Sequence, residues 1–359
     1  DSLPNCGTVP ALEWRPICAC SFAAFPPGSS NRSPVYNAVM IWTGATLSAI
    51  LASLSFCQAS QTPLQPPTQP PLPTEYDYII VGAGTAGSVV ANRLSQNPDN
   101  KVLLLEAGGE MTPDLYVPYS APFAANENNS WGCETTPQYC FLSSHPSRRG
   151  TYNSRKVMGG TGSLNSMNYV RGNPKDFNKW EEEYNATGWK YNDVLTYFKQ
   201  IENFNISDVS QEDKRYHGYG GETPVNYPGY YTDLSYVFLN ACTEANYKKI
   251  DYNGKHHTGY SRVESNTAYG IRWGPSSCFL NNTVRARTNL HIFTKSMVIR
   301  ILFENTKATG VIFTKDGKNE TVRVKREVIL CAGAIGSPKL LMLSGIGPQH
   351  ELDRHRIDP

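Results

Sequence analysis

No run of basic residues occurs in the sequence, and the formal charges nearly cancel, with Lys+Arg 33 against Asp+Glu 31. A chain that grips nucleic acid needs clustered cations to neutralise phosphates, so nucleic acid is not an expected partner. The seven histidines have no metal-ligand spacing, so no metal site is expected. His256 and His257 are adjacent and read as loop residues. His350 and His355 stand in a charged run with Asp353 and Arg354, and His217 sits in a glycine turn. An initiating methionine is missing as well: the chain opens on Asp1 and closes on Pro359 inside what reads as continuing structure, the pattern of a fragment. What remains has a globular balance, 40% hydrophobic and 18% charged, over a length that suffices for two domains.

The most informative stretch is Tyr76 to Glu106. Tyr78-Ile79-Ile80-Val81 reads as a buried strand, followed by Gly82, Gly84 and Gly87 in a G-x-G-x-x-G pattern. A helix-period segment comes next, with Val89, Val90 and Leu94 as its apolar face. A second strand, Val102 to Leu105, ends on Glu106, 19 residues beyond Gly87. This is a complete βαβ unit of about 30 residues, the dinucleotide fingerprint. Gly82 permits the tight turn, Gly84 lets backbone approach a pyrophosphate, and Gly87 lets the helix pack on the sheet. The helix amino end faces the phosphates, and Glu106 stands where a carboxylate accepts from ribose hydroxyls.

Upstream, residues 1–39 are rich in Pro, Ser and Cys without periodicity. Met40 begins MIWTGATLSAILASLSFCQAS, uncharged and apolar from about Ala45 to Phe56. It reads as a secretory signal peptide cleaved near Ala59, although no Lys or Arg precedes its apolar core. A single membrane anchor is the rival, and small residues such as Gly44, Ser48 and Ser53 favour the signal peptide. Six prolines in the eleven residues Pro63 to Pro73 then form an extended linker. Secretion agrees with sequons at Asn128, Asn185, Asn205, Asn281 and Asn319. Five cysteines follow the linker: Cys133, Cys140, Cys242, Cys278 and Cys331. Cys133 and Cys140 are close enough in sequence to bridge in an oxidising compartment, and the odd number leaves a thiol free, expected to be Cys331 in a buried strand Val328 to Cys331.

A second glycine loop, RKVMGGTGSLNSMNYVRGNPKDFN, spans 155–178. Gly159-Gly160-Thr161-Gly162 allow close approach of backbone to a bound group, and Thr161, Ser163, Asn165 and Ser166 offer uncharged hydrogen-bonding groups. Further on, strands are expected at Leu290 to Phe293, Val298 to Phe303, Thr309 to Thr314 and Thr321 to Val324, the last two joined by a hairpin at Lys315-Asp316-Gly317-Lys318.

The loop resembles the first signature of the glucose–methanol–choline (GMC) flavin oxidoreductases. Lys156, Gly159, Gly160, Thr161, Leu164, Asn165, Tyr169, Gly172 and Asn178 fall on its fixed or restricted positions. Gly333 to Gly347, GAIGSPKLLMLSGIG, is similar to the family's second signature, and the βαβ unit has the form the family uses for FAD. Trp189 to Lys199, His217 to Gly221 and Ala268 to Leu280 are also similar to family segments. Arg155, Met158 and the run Gly150 to Ser154 depart from the usual pattern. The linker, the secretory start and Asn129-Ser130-Trp131 look most like insect secreted members, of glucose dehydrogenase type.

The resemblance implies an α/β fold, a doubly wound (Rossmann-like) FAD-binding domain with an incomplete α+β substrate domain. Residues 1–39 are then untranslated or disordered, 40–59 signal peptide and 60–75 linker; 76–178 and a truncated 286–359 form the FAD-binding domain, with 179–285 on the substrate side. FAD would lie on Gly82, Gly84, Thr85, Ala86, Gly87 and Glu106, and along Val157, Gly160, Thr161, Asn165, Ser166 and Met167. Val298 would meet the adenine through its backbone, and Ala332 and Gly333 would close over the nucleotide.

The implied activity is oxidation of a CH–OH group in a small alcohol or sugar, with hydride passing to the flavin and electrons then to oxygen or a quinone-like acceptor. The implied location is extracellular, without stable membrane association. The family's catalytic histidine belongs to a C-terminal segment that no part of this sequence matches, so the catalytic residue stays unassigned. Two other readings stand beside this one. A nicotinamide-dependent dehydrogenase accounts for the βαβ unit but not for the two signatures. A secreted, non-catalytic paralogue with a binding or structural role would keep the fold alone.

Overall fold

The computed structural model describes residues 72–120, 126–138, 142 and 144–358. The expected signal peptide, the residues before it, most of the linker and Cys140 lie outside the described residues, and with them the Cys133–Cys140 bridge. The chain divides into two compact units, residues 1–63 with 134–151, and residues 64–133 with 152–359. The described part of the first is a loop closed on itself, Thr135 donating its amide to Gly150 (2.9 Å, like Gly150 itself inside the unit) and Gln138 to Arg148 (2.8 Å).

The second unit is built on a six-stranded sheet: β1 (Glu75–Val81), β2 (Val102–Leu105), β3 (Leu290–Phe293), β4 (Ser296–Glu304), β5 (Lys307–Lys315) and β6 (Lys318–Leu330), in the order β4-β5-β6-β1-β2-β3. The pairs β6-β1, β1-β2 and β2-β3 are parallel, while β4-β5-β6 is an antiparallel meander. The fold class is therefore the α/β one expected, with the parallel strands at the centre. β2 and the Tyr78–Val81 end of β1 are apolar without alternation because both faces of a parallel sheet are covered. Side chains of period two separate onto those faces. Ile79, Val81, Leu103 and Leu105 join Ile301, Val311, Phe313 and Leu340 on one side. Ile80, Val102 and Leu104 join Ala83, Ala91, Met158, Leu280 and Val284 on the other. Each such aliphatic side chain contributes about 1.5–3 kcal/mol on burial.

Helix α1 (Thr85–Leu94) covers the second face. Its buried residues are Gly87, Ser88, Ala91 and Asn92, which corrects the expectation that Val89, Val90 and Leu94 would form the inner face. Small side chains let the helix backbone approach the sheet, and Asn92 donates to the Phe279 carbonyl at 2.7 Å. Val90 and Leu94 flank this line half-buried. The expected hairpin between β5 and β6 is present, with Asp316 and Gly317 both left-handed (φ 49° and 75°), the conformation of a two-residue turn whose twist suits the strands.

Two further expectations are corrected. Thr321–Val324 and all but the last residue of Val328–Cys331 belong to one strand, β6, which runs through the exposed charges Lys325, Arg326 and Glu327; a register shift there, opposite Tyr76 to Tyr78, absorbs the extra residue. Cys331 is half-buried just beyond that strand, and the buried thiol is Cys278. All six strands lie outside residues 179–285, which hold α2 (Tyr191–Ile201), α3 (Asp233–Glu244) and short parallel and antiparallel pairs.

Candidate dinucleotide-binding site

The carboxyl end of β1 turns at Gly82, whose φ of 97° suits glycine and whose amide is bound to Leu105 O at 2.8 Å. A Cβ there would stand 2.5 Å from the Cys331 carbonyl oxygen, and one at Gly87 would stand 1.9 Å from Gly82 O. Both positions therefore exclude any side chain. At Gly84, by contrast, an added Cβ would meet nothing within 4 Å. Two of the glycines serve packing and one faces open space. No side chain caps α1 and no acid lies in its first turn. The first amides of a helix have no intrahelical acceptor, so this end is suited to a phosphate.

The second glycine loop lies directly against the first. Gly159 donates to Ala83 O at 2.7 Å, and Gly160 donates to Val157 O at the same distance. Gly160 has φ 59°, and a Cβ on it would come within 2.9 Å of Gly84 Cα. A Cβ on Gly162 would stand 2.5 Å from Thr85 Oγ1. Residues 160–163 form a single short helical turn here. Thr161 Oγ1 accepts from the Arg155 amide at 3.3 Å, and Val157 itself is buried among Met111, Leu115 and Leu164. The side chain of Val157 is thus withdrawn from solvent.

Glu106 is buried at the end of β2. Its Oε2 accepts from the Ala83 amide and its Oε1 from the Gly108 amide, both at 2.8 Å. Burial pushes its pKa up, against the pull of these two amides. The carboxylate thus ties the glycine turn to the strand that follows it. The Glu106 carbonyl accepts from Ser296 at 2.8 Å, which brings the start of β4, and Val298 two residues on, to the same end of the sheet. Cys331 donates to Val81 O at 2.8 Å, so Ala332 and Gly333 also emerge there, Gly333 exposed with φ 82°. Thr85 and Ala86 are exposed in the first turn of α1.

Asn165, Ser166 and Met167 are held differently, by the hairpin that pairs Thr267 with Arg272. Arg272 Nη1 donates to Asn165 O at 2.6 Å, and Asn266 donates to Met167 O at 2.9 Å. Asn165 Oδ1 accepts from the Met167 amide at 2.8 Å and so stabilises Met167 in its left-handed conformation, φ 62°. Asn165 and Ser166 are exposed.

A buried polar network escaped the sequence. Arg171 bonds Glu202 Oε2 and Tyr216 O, each at 2.6 Å. Glu202 faces His217 Nδ1 at 3.2 Å, and His217 Nε2 stands 2.6 Å from Asp251 Oδ2. Asp251 accepts from the Asn253 amide, whose side chain donates to Glu264 Oε2, both at 2.8 Å. The His217 ring stacks on Phe204 with centroids 3.6 Å apart. Burial alone would depress the His217 pKa, but its bonds to Asp251 and Glu202 and their charges lift it to about 9. Burial and the charge of Asp251 push Glu264 up. The imidazolium is fully committed to two carboxylates, so His217 is a structural cation. Only its glycine turn marks it in the sequence; its partners are scattered. Among the described residues no group of His, Cys, Asp and Glu is arranged to hold a metal ion, and no helix is long and apolar enough to cross a membrane.

The sequence model of the GMC oxidoreductase family matches residues 76–357. The chain is 39% identical over 287 residues to glucose dehydrogenase [FAD, quinone] of Drosophila melanogaster, covering 79% of this chain and 45% of that protein. It is 38% identical over 290 residues to the oxygen-dependent choline dehydrogenase of Staphylococcus saprophyticus, covering 79% and 50%. Among solved structures, pyridoxine 4-oxidase from Mesorbium loti superposes with a TM-score of 0.73 at 31% identity, over 79% of this chain and 54% of that one. The chain spans about half the length of the curated relatives it matches.

Proposed function

This chain belongs to the GMC oxidoreductase family, and on that premise we propose that it holds FAD across its two glycine loops and serves in oxidation of a CH–OH group. The observation that carries the reading is the contact of the loops, Gly159 on Ala83 and Gly160 on Gly84, with Gly84 left open at the uncapped end of α1. The residues present fit the cofactor. The amides of Gly84, Thr85, Ala86 and Gly87 would hold the pyrophosphate, and Glu106, fixed by Ala83 and Gly108, would accept from the ribose. The Val298 backbone would meet the adenine, Ala332 and Gly333 would close beside it, and the backbone of Val157, with Gly160, Thr161, Asn165, Ser166 and Met167, would line the ring. When bound, FAD supplies the hydride-accepting chemistry, and the protein supplies position and exclusion of water.

Glucose, choline and pyridoxine, named for the relatives, all carry hydroxyl groups on carbon, which supports a small alcohol or sugar as the substrate class. Oxygen and a quinone-like carrier are the two acceptors those names support. The sheet strands fall at 75–105 and 290–330, which supports a nucleotide domain from 76–178 and 286–359 with 179–285 on the substrate side. Secretion is supported by the sequons: Asn128, Asn185, Asn205 and Asn319 are exposed. His217 offers no base, being bonded to Glu202 and Asp251, and His291 lies 2.7 Å from the Tyr76 hydroxyl.

The test is spectroscopic. Purified full-length protein is expected to be yellow or to take up added FAD, and to lose its flavin absorbance anaerobically with one member of an alcohol and sugar panel. Protein that is colourless and takes up no FAD would sink the proposal.

A further inference from the structure

Three arginines are buried among the described residues: Arg171, Arg272 and Arg285. Two of them meet a carboxylate, Arg171 on Glu202 at 2.6 Å and Arg285 on Glu110 at 2.8 Å. Arg272 differs. It is 1% exposed, and its Nε and Nη2 have no hydrogen-bond partner among the described residues. Its Nη1 alone is engaged, with the carbonyl of Asn165 at 2.6 Å and Asn165 Oδ1 at 3.3 Å. A guanidinium withdrawn from water without a counter-charge is costly, and folded chains seldom keep one. Both idle nitrogens are buried, and no carboxylate among the described residues pairs with Arg272. In a low-dielectric surround, a charge with no partner acts over a longer range than one that is paired.

We propose that Arg272 is a positioning residue for the redox reaction: it pins the Asn165–Met167 loop through the Asn165 carbonyl and sets an unneutralised positive charge behind that loop. The inference rests on the reading that the flavin ring lies along Asn165–Met167. With FAD held there, oxidation of the alcohol would move a hydride, two electrons and one proton, from the carbinol carbon to the ring, while the hydroxyl proton would leave separately and the substrate would become a carbonyl. Negative charge therefore arrives at the ring, and a fixed cation behind the loop favours its arrival. Through Nη1 alone the side chain reaches both oxygens of Asn165 and so fixes the loop.

The test uses the full-length holoprotein with inorganic sulfite, an anion that adds to electron-poor flavins. R272Q is expected to bind sulfite about tenfold more weakly, and its flavin reduction potential to fall by about 30 mV, the equivalent of tenfold for a two-electron couple. R272K keeps the charge and is expected to hold sulfite, and to keep its flavin potential, like wild type. Wild-type sulfite affinity and potential in R272Q overturn the proposal. Should R272Q not fold, a tenfold loss of sulfite affinity in R272K, which keeps the charge, overturns it. A wild-type protein that takes up no FAD instead overturns the cofactor reading, so the two failures are told apart.

Discussion

The amide of Gly159 reaches the carbonyl of Ala83 at 2.7 Å, joining loops that are 76 residues apart in the chain. Two glycines near this contact have different jobs, and substitution separates them. G87A places a methyl 1.9 Å from Gly82 O, so the helix must shift off the sheet. A loss of about 1–3 kcal/mol is expected in denaturant unfolding. G84A meets no atom within 4 Å, and its unfolding midpoint is expected to stay near wild type. Its FAD affinity should nevertheless fall at least tenfold, read by flavin fluorescence titration. Equal losses of stability in the two variants would refute this division of roles.

Glu106 accepts one amide on each oxygen. In E106Q one oxygen becomes an NH2 group that faces a backbone N–H, leaving a buried donor without its acceptor. The expected cost is about 1–3 kcal/mol in unfolding experiments, together with weaker FAD binding. An E106Q protein as stable as wild type would show that the carboxylate is not what ties the turn to β2.

The His217 network makes stability depend on pH. The folded-state pKa of about 9 lies above the ordinary 6.5. A raised pKa means that the contribution is complete below about pH 6.5 and is lost as pH rises through 9. At about 1.4 kcal/mol per pH unit, the whole window is worth about 3 kcal/mol. Glu264, also raised, acts in the same direction at lower pH. Urea unfolding between pH 6 and 10 should trace this decline, and H217Q should flatten it and be less stable at pH 6.5. A wild-type profile that is level across the window contradicts the assignment of His217 as an imidazolium.

Sequon use should follow geometry. Asn281 caps the helix Asn282–Arg285, its Oδ1 accepting from the Val284 amide at 3.1 Å. After expression in a glycosylating secretory host, peptide mapping is expected to find glycan at Asn128, Asn185, Asn205 and Asn319 ahead of Asn281. Preferential occupancy of Asn281 would run against it.

Much of the local geometry around the first glycine loop is legible in the sequence because its signals are local. The four-residue apolar runs of β1 and β2, the glycine spacing and Glu106 all lie within one βαβ unit, where chain geometry leaves little freedom. The inner face of α1 was not, because Ser88 and Asn92 are polar; their burial depends on the Ala83 and Phe279 carbonyls that they meet. β6 was read as two strands because Lys325, Arg326 and Glu327 interrupt its apolar pattern, while ladder pairing with β1 carries the backbone through. Arg171, His217 and Asp251 carry no periodicity that links them, and Arg272 looks like any charged residue until the Asn165 loop is folded onto it.

The placement of β1 has a consequence for biosynthesis. Ile79 pairs with Leu103 on one side and with Val328 on the other, separations of 24 and 249 residues. At about 5–20 residues per second, the ribosome needs about 12–50 s to deliver the second neighbour. For that interval the nascent β1 keeps an open, apolar edge, a template for pairing with other chains. Chaperones that cover this edge during synthesis are therefore expected to raise the yield of soluble protein.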